Sequence, residues 1–313
     1  MRHDPLPSNG NGTCPFCPGA EAETPPEIAA YRPDRKTAQG PGWQVRVIPE
    51  RAPLLQIEGN ILREGAGMFD KVSGRGASEI VIEHPDHAAS WDTMPVRDLE
   101  RVLWMYRDRI IDLYRDPQIR AIVVLRRERT PSNQVTHPFS RVIGSPIIFD
   151  DLRYELSSAR QHFQYKNRCL FCDIVRQERQ DGLRVIEESK HFIVYNPYGS
   201  SRPYETWILP LGHRHRFQDV STDQAADLAR ILQQTYRRLH AVQPGVPLEL
   251  SLHNSPNEAM RIRDDDWQSL AEDFHWHIEI YPRLSVPDRL GGFALNYVLP
   301  ELASQRLRQE TLP

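Results

Sequence analysis

The sequence predicts an α+β protein made of two copies of one unit, each with strands bracketing one long helix, and three observations predict it. Two C-x-x-C pairs, Cys14/Cys17 and Cys169/Cys172, each open one half of the 313-residue chain. After each pair the same features return in the same order: apolar β-like runs, a histidine, a helical stretch, a further β-like run and a histidine. Both helical stretches carry apolar residues at three- and four-residue spacing, the signature of a helix with one buried face. One such correspondence could arise by chance; the whole order recurring twice indicates duplication.

The first unit starts at Cys14-Pro-Phe-Cys17 and passes through an apolar run from Trp43 to Ile48, then Glu79 to Glu83, ending at Pro85-Asp86-His87. A helix is predicted from Val96 to Tyr114, with Leu99, Val102, Leu103, Tyr106, Ile110 and Leu113 on one face. A β-like run from Ile119 to Leu125 and then His137-Pro138-Phe139 complete it. The second unit starts at Cys169-Leu-Phe-Cys172 and continues through Phe192 to Tyr195 and Thr206 to Pro210, reaching His213. Its helix runs from Thr222 to Val242 with Leu228, Ile231, Leu232, Tyr236 and Leu239 inward, followed by Leu248 to His253 and a strand around His275 to Ile280. The halves are placed at 1–165 and 166–313. Residues 18–42, rich in Pro, Gly and charge, read as an extended surface segment, 255–273 as an acidic loop, and Glu301 to Gln309 as a short helix.

Bulk properties exclude several classes. A net charge of -3 leaves no basic excess for following a phosphate backbone, so nucleic acid is not an expected partner. No run of about 18 apolar residues is present and the first eleven residues are polar, which argues against a membrane span and a secretory signal and for the cytoplasm. With no secretory context, paired cysteines at this spacing point to metal before disulfides. A redox C-x-x-C is the competing reading, and Pro18-Gly19 directly after the first pair suits a metal knuckle better.

A tetrahedral metal site needs four soft or borderline donors, and two cysteines plus two histidines supply them. Cys14, Cys17, His87 and His137 form one candidate set; Cys169, Cys172, His213 and His275 form the other. His84 and His215 lie within three residues of proposed ligands. In His275-Trp276-His277, strand alternation puts both imidazoles on one side, so one can bind metal while the other faces a substrate. His277 is thereby a candidate nucleophile or acid/base, or else a further ligand; Glu155 and His253 could join it in an O/N metal site. Arg126, Arg127, Arg129 and Arg141 are candidates for bidentate phosphate recognition, against the commoner reading of a solvated surface.

Cys-Pro-Phe-Cys-Pro-Gly (14–19), Thr24-Pro-Pro-Glu27, the run from Glu79 to His87, His137-Pro138, the run from Cys169 to Val175, Ile208 to His213, Leu252 to Pro256 and Phe274 to Leu284 occur in one order along nearly the whole chain. In these the chain resembles the galactose-1-phosphate uridylyltransferases and their nucleotide-sugar phosphorylase relatives in the histidine-triad superfamily. The resemblance implies an internally duplicated histidine-triad-like fold of two antiparallel-sheet halves, a homodimer, and two zinc ions per chain at the cysteine and histidine sets above. It implies transfer of a nucleotidyl group between a nucleoside diphosphate sugar and a sugar 1-phosphate through a nucleotidyl-histidine intermediate. Some relatives carry an alternative second metal site, iron in place of zinc, which maps onto Glu155, His253, His275 and His277.

The family's nucleophile is the second histidine of His-Pro-His, with a glutamine two positions on; this chain has Phe139 and Arg141 there. Its small Gly-Ala-Ser stretch is replaced by Ser132-Asn133-Gln134, the Asn-x-Tyr/Phe-Pro-Ala-Leu segment by Glu50 to Leu55, and the Gly-Thr-Gly after Gly292-Phe293 is missing. Gln134, Arg126 and Arg141 are therefore the candidate phosphate-binding residues. The expected function is a divergent nucleotidyltransferase using direct attack or His277. The alternatives are a non-catalytic nucleotide-binding pseudoenzyme and a changed hydrolase or lyase reaction on a phosphoester.

Overall fold

The computed structural model describes residues 14–33, 39–53, 55–59, 61–128, 137–259, 269–284, 289–290 and 293–310. The first half holds β1 (Ala29–Tyr31), β2 (Val45–Pro49), β3 (Arg63–Ala66), β4 (Phe69–Val72), β5 (Ala77–Ile82), α1 (Val96–Leu113), β6 (Ala121–Arg127), β7 (Phe139–Ser145) and α2 (Asp150–Lys166). The second holds α3 (Leu170–Asp181), β8 (Val185–Glu188), β9 (Phe192–Tyr195), β10 (Thr206–Pro210), α4 (Thr222–Val242), β11 (Leu248–His253), α5 (Leu270–Asp273), β12 (His277–Pro282), β13 (Arg289–Leu290), β14 (Phe293–Ala294) and α6 (Pro300–Gln309).

Ten strands make one antiparallel sheet in the order β1-β2-β5-β7-β6-β11-β12-β10-β9-β8. The order reads the same from either end: β5-β7-β6 corresponds to β10-β12-β11, and each half places its long helix between the corresponding strands. The histidine-triad-like unit is thus present twice, and the copies join where β6 pairs with β11, Ser251 opposite Leu125.

The two faces of the sheet are covered differently, and this positions the chemistry. Alternate residues Val81, Val124, Val142, Leu250, Leu252 and Ile278 point to one face, where α1 and α4 bury Leu99, Val102, Leu103, Leu228, Ile231 and Leu232. Each such side chain contributes about 1.5–3 kcal/mol by leaving water. Helix α4 begins with a capping box, Ser221 and Gln224 exchanging side-chain bonds with each other's backbone N–H. On the opposite face Ile48, Ile80, Ile82 and Phe139 pack under the Cys14–Cys17 knuckle through Phe16 and Trp43. In the second half, Ile193, Tyr195 and Leu209 pack under α2, α3 and α5.

Several sequence expectations shift. Helix α2, ahead of the second cysteine pair, sets Leu152, Leu156 and Ala159 against Phe171 and Val175 of α3. The segment 18–42 is not simply a surface strap: Glu27 grips Arg32 through two hydrogen bonds and also accepts from the buried Arg46, tying the segment to β2. The strand at the second histidine pair starts at His277, with Trp276 turned into the helix-covered core. One glycine is required at the sheet's rim: Gly76 has φ +151°, and a Cβ there would lie 2.2 Å from the carbonyl oxygen of Gly144.

Candidate metal centres and the open face of the sheet

Cys14 and Cys17 sit on a tight turn in which the Cys17 N–H donates to the Cys14 carbonyl, 3.1 Å, bringing both sulfurs to one side. The Cys17 Sγ lies 3.5 Å from His87 Nδ1 and 3.8 Å from His137 Nδ1. In the second half the Cys172 Sγ lies 3.3 Å from His213 Nδ1 and 3.7 Å from His275 Nδ1. In each set the four ligand atoms fall within 4.8 Å of one another. A tetrahedron with metal–sulfur bonds of about 2.3 Å and metal–nitrogen bonds of about 2.0 Å has sulfur–nitrogen edges near 3.5 Å, so both sets fit a four-coordinate ion.

The outer contacts agree with ligation. His137 and His213 donate their other ring nitrogen to backbone carbonyls, of His84 at 2.7 Å and Ala271 at 2.8 Å, which fixes Nδ1 as the lone-pair nitrogen. Burial holds His137 neutral, its pKa down at about 4. In the second set one proton is shared by the cysteines: the Cys169 thiol donates to Cys172, holding Cys172 as thiolate, its pKa about 3, with His213 and His275 adding to the effect. A neutral His137 and a Cys172 thiolate are the protonation states that metal ligation requires, while the hydrogen bond with that thiolate pushes His213 up and burial pushes the Cys14 thiol up. The neighbouring histidines lie elsewhere: His84 accepts from the Asp86 N–H, and His215 pairs with Glu258.

A third group gathers on the same face. His253 Nδ1 lies 2.7 Å from Glu155 Oε1, and His277 Nε2 lies 3.6 Å from Glu279 Oε1 and 3.9 Å from Glu155 Oε2. The expected set here counted His275; the structure assigns His275 to the cysteines, and Glu279, two positions beyond His277 on β12, takes the fourth place. His277 Nδ1 donates to the His275 carbonyl, so its Nε2 carries a lone pair aimed at two carboxylates. That nitrogen and Glu155 Oε2 are buried without a hydrogen-bond partner, a costly arrangement that a cation between them would satisfy. His277 is 0% exposed, stacked on Trp207 at 4.9 Å and against Phe171 at 5.2 Å. Burial opposes a charge on His253, but Glu155 and Glu279 outweigh it and lift its pKa to about 9.

The candidate phosphate residues part company. Arg126 points to the helix-covered face, 3% exposed, with its Nε 3.1 Å from Glu83 and its Nη1 3.2 Å from Glu128, over the ring of Trp91 at 4.4 Å. Its donors are spent inside the protein, which removes it from phosphate recognition. Arg141 is on the open face, its guanidinium 5.5 Å over the Phe139 ring and its Nε 3.1 Å from Glu50 Oε1. The Ser78 hydroxyl donates to the other oxygen of Glu50. Phe139 is 6% exposed and edge-on to Phe16 at 5.5 Å. Gln134 and Arg129 lie outside the described residues. Sequence reasoning missed three members of these clusters: Glu279, for which the His-x-His-x-Glu alternation was the available signal, and Ser78 and Glu50, which become partners only through the β2–β5 pairing.

Comparison with known proteins fits this architecture. ADP-glucose phosphorylase of Arabidopsis thaliana is 26% identical over 98% of this chain and 85% of its own length. Galactose-1-phosphate uridylyltransferase of Thermotoga maritima is 24% identical over 78% of this chain and 77% of its own. Among solved structures, a GalT-like protein from Arabidopsis thaliana superposes with a TM-score of 0.80 at 25% identity, covering 96% of this chain and 93% of that one. The Arabidopsis ADP-glucose phosphorylase solved with bound ADP-glucose superposes with a TM-score of 0.80 at 24% identity, covering 96% and 91%. The sequence profile of the galactose-1-phosphate uridyl transferase C-terminal domain matches residues 155–311, half of the chain, and on that match the protein belongs to the galactose-1-phosphate uridylyltransferase family.

Proposed function

We propose that the protein is a divergent nucleotidyltransferase acting on a nucleoside diphosphate sugar or a related phosphoester by direct displacement, with no covalent enzyme intermediate. The observation that carries this reading is the pairing of Phe139 with Arg141 on the open face: the position that the family resemblance gives to the nucleophile holds a side chain with no lone pair, and beside it stands a guanidinium held by Glu50. Arg141 suits the developing charge on a phosphate in flight, and the Phe139 ring supplies a flat, dry floor beneath it. The acceptor's phosphate oxygen attacks the nucleotide's phosphorus; the bond to the departing sugar phosphate breaks and carries the electron pair away.

In this reading the two Cys2His2 sets hold zinc and act as structural ties. The Glu155–His253–His277–Glu279 group holds a further divalent ion, iron by resemblance, so His277 serves as ligand and not as nucleophile. Supporting it are the ligand spacings, the orphaned Nε2 and the complete burial of His277. A homodimer and a cytoplasmic location are part of the same proposal and rest on the resemblance. Among the described residues no helix is long and apolar enough to cross a membrane.

The test is phosphorus NMR of the metal-loaded protein with ADP-glucose and other nucleoside diphosphate sugars, with and without sugar 1-phosphates or inorganic phosphate. New phosphoester signals that require the acceptor are expected. A substrate chiral at the transferred phosphorus should emerge inverted, one displacement giving one inversion; retention would show a covalent intermediate and sink the direct route. Binding without turnover would favour the non-catalytic reading, for which the packing of Phe139 against Phe16 speaks.

A further inference from the structure

On the first half's open face three side chains form a relay that ends on Arg141. Glu50 follows β2, and its backbone N–H donates to the carbonyl of Ser78 on β5 at 3.0 Å, which sets the two side chains next to each other. The Ser78 hydroxyl donates to Glu50 Oε2, and Glu50 Oε1 accepts from Arg141 Nε at 3.1 Å. Arg141 is opposite Ile80 and Ser78 is opposite Ile143, so Arg141 and Ser78 are diagonal neighbours on paired strands. Glu50 and Ser78 are each 6% exposed. Water screens a carboxylate this deeply covered only weakly, and its hold on a guanidinium is correspondingly firm.

The relay borders a space that a ligand can fill. Among the described residues a cavity of about 650 Å³ opens here, and its wall includes Pro49, Glu50, Pro53, Leu55, Ser78 and Arg109. Two ion pairs stand at this wall and are made differently. Arg109 meets Glu79 through Nε and Nη2 at 2.7 and 2.8 Å, a two-point grip that closes the pair on itself. Arg141 meets Glu50 through Nε alone, and among the described residues its Nη1 and Nη2 have no hydrogen-bond partner. A one-point grip at Nε aims the guanidinium and leaves its outer edge, a pair of parallel N–H donors, for two oxygens of a phosphate. The same grip offsets part of the guanidinium's charge. Resting attraction for phosphate is therefore reduced, while orientation, which acts on the transition state, is gained.

We propose that Glu50 is a positioning residue of the transfer, itself held by Ser78 and acting through Arg141. It lowers the affinity of Arg141 for a bound phosphate and raises the rate at which that phosphate reacts. Its effect on turnover rests on the transferase reading; its effect on phosphate binding does not.

The test is a double-mutant cycle on the full-length, metal-loaded chain, with Glu50→Gln, Arg141→Gln and the two combined. ADP binding is read by calorimetry, and turnover of ADP-glucose with inorganic phosphate or a sugar 1-phosphate is read as kcat and KM. Glu50→Gln keeps the side chain's shape and removes its charge. It is expected to tighten ADP severalfold and to lower kcat at least about tenfold, opposite signs that a merely structural role would not give. In the Arg141→Gln background the same change should move neither quantity by more than about twofold. Ser78→Ala should act with the same signs and smaller size, and it carries the test if a melting curve shows that Glu50→Gln does not fold. Weaker ADP binding together with slower turnover in both backgrounds would make Glu50 a structural residue and overturn the assignment, as would no change in either quantity. Tighter ADP binding in Glu50→Gln that vanishes with Arg141→Gln, in a chain with no turnover at all, would leave the hold on Arg141 standing and remove the transferase reading.

Discussion

Arg126 and Arg127 are consecutive on β6 and serve opposite faces of the sheet, because side chains on a strand alternate. Arg126 is locked to Glu83, itself held by the Trp91 indole N–H and the Tyr106 hydroxyl. Removing one member of such a buried pair leaves the other charge uncompensated. Arg126→Met is expected to cost about 3–5 kcal/mol in urea unfolding, and adding Glu83→Gln to recover part of it. If Arg126→Met instead left stability intact and abolished phosphate binding, its assignment to the interior would be wrong. At this scale the sequence was informative about residue types and less so about partners. That the eight cysteine and histidine side chains gather in two sets of four was readable from their spacing and residue type. The fates of Arg126 and Arg141 were not, since an arginine on a strand reads the same whether its face is covered by a helix or open.

At the scale of the element, the helices α1 and α4 and the strands between them were legible from apolar periodicity. Helices α2 and α3 were not: α2 buries only Leu152, Leu156 and Ala159 among seventeen residues, too narrow an apolar stripe to stand out. Yet α2 brings Glu155 to His253, and α3 begins at the second cysteine pair, so these two elements carry much of the second half's site. The two cysteine and histidine clusters bring distant elements together: the first joins the N-terminal turn to the segment after β5 and the start of β7. Elemental analysis of the purified chain is expected to find two zinc ions and a third divalent metal. Cys14→Ser/Cys17→Ser should remove one zinc and lower the melting temperature by roughly 10 °C, a loss of several kcal/mol. Retention of all the metal in that variant would refute the first set.

For the whole molecule, the join between halves includes a charged contact as well as β6–β11. His240 on α4 lies 3.1 Å from Asp92 and 2.9 Å from Glu128, both in the first half. Burial works against its charge, but the two carboxylates prevail and raise its pKa from 6.5 to about 9. Because the folded value lies above the unfolded one, the stabilisation is fully present below about pH 6.5 and is lost as pH rises through 9. Discounted for its 26% side-chain exposure, the effect is about 2 kcal/mol. The unaltered chain should lose that much stability relative to His240→Gln between pH 6.5 and 10, read from paired denaturation curves; parallel curves would show that the contact does not matter.

The β6–β11 ladder has a further consequence, for how the two copies can change over time. Each copy seals the other's open sheet edge, an edge that alone would recruit foreign strands. Neither backbone can therefore be discarded, while the side chains on the open face are under no such bond. A duplicated chain of this kind can begin one copy's strand with Phe139 and the corresponding strand of the other copy with His277, because what each half supplies its neighbour is amide hydrogen bonds that any residue but proline can make.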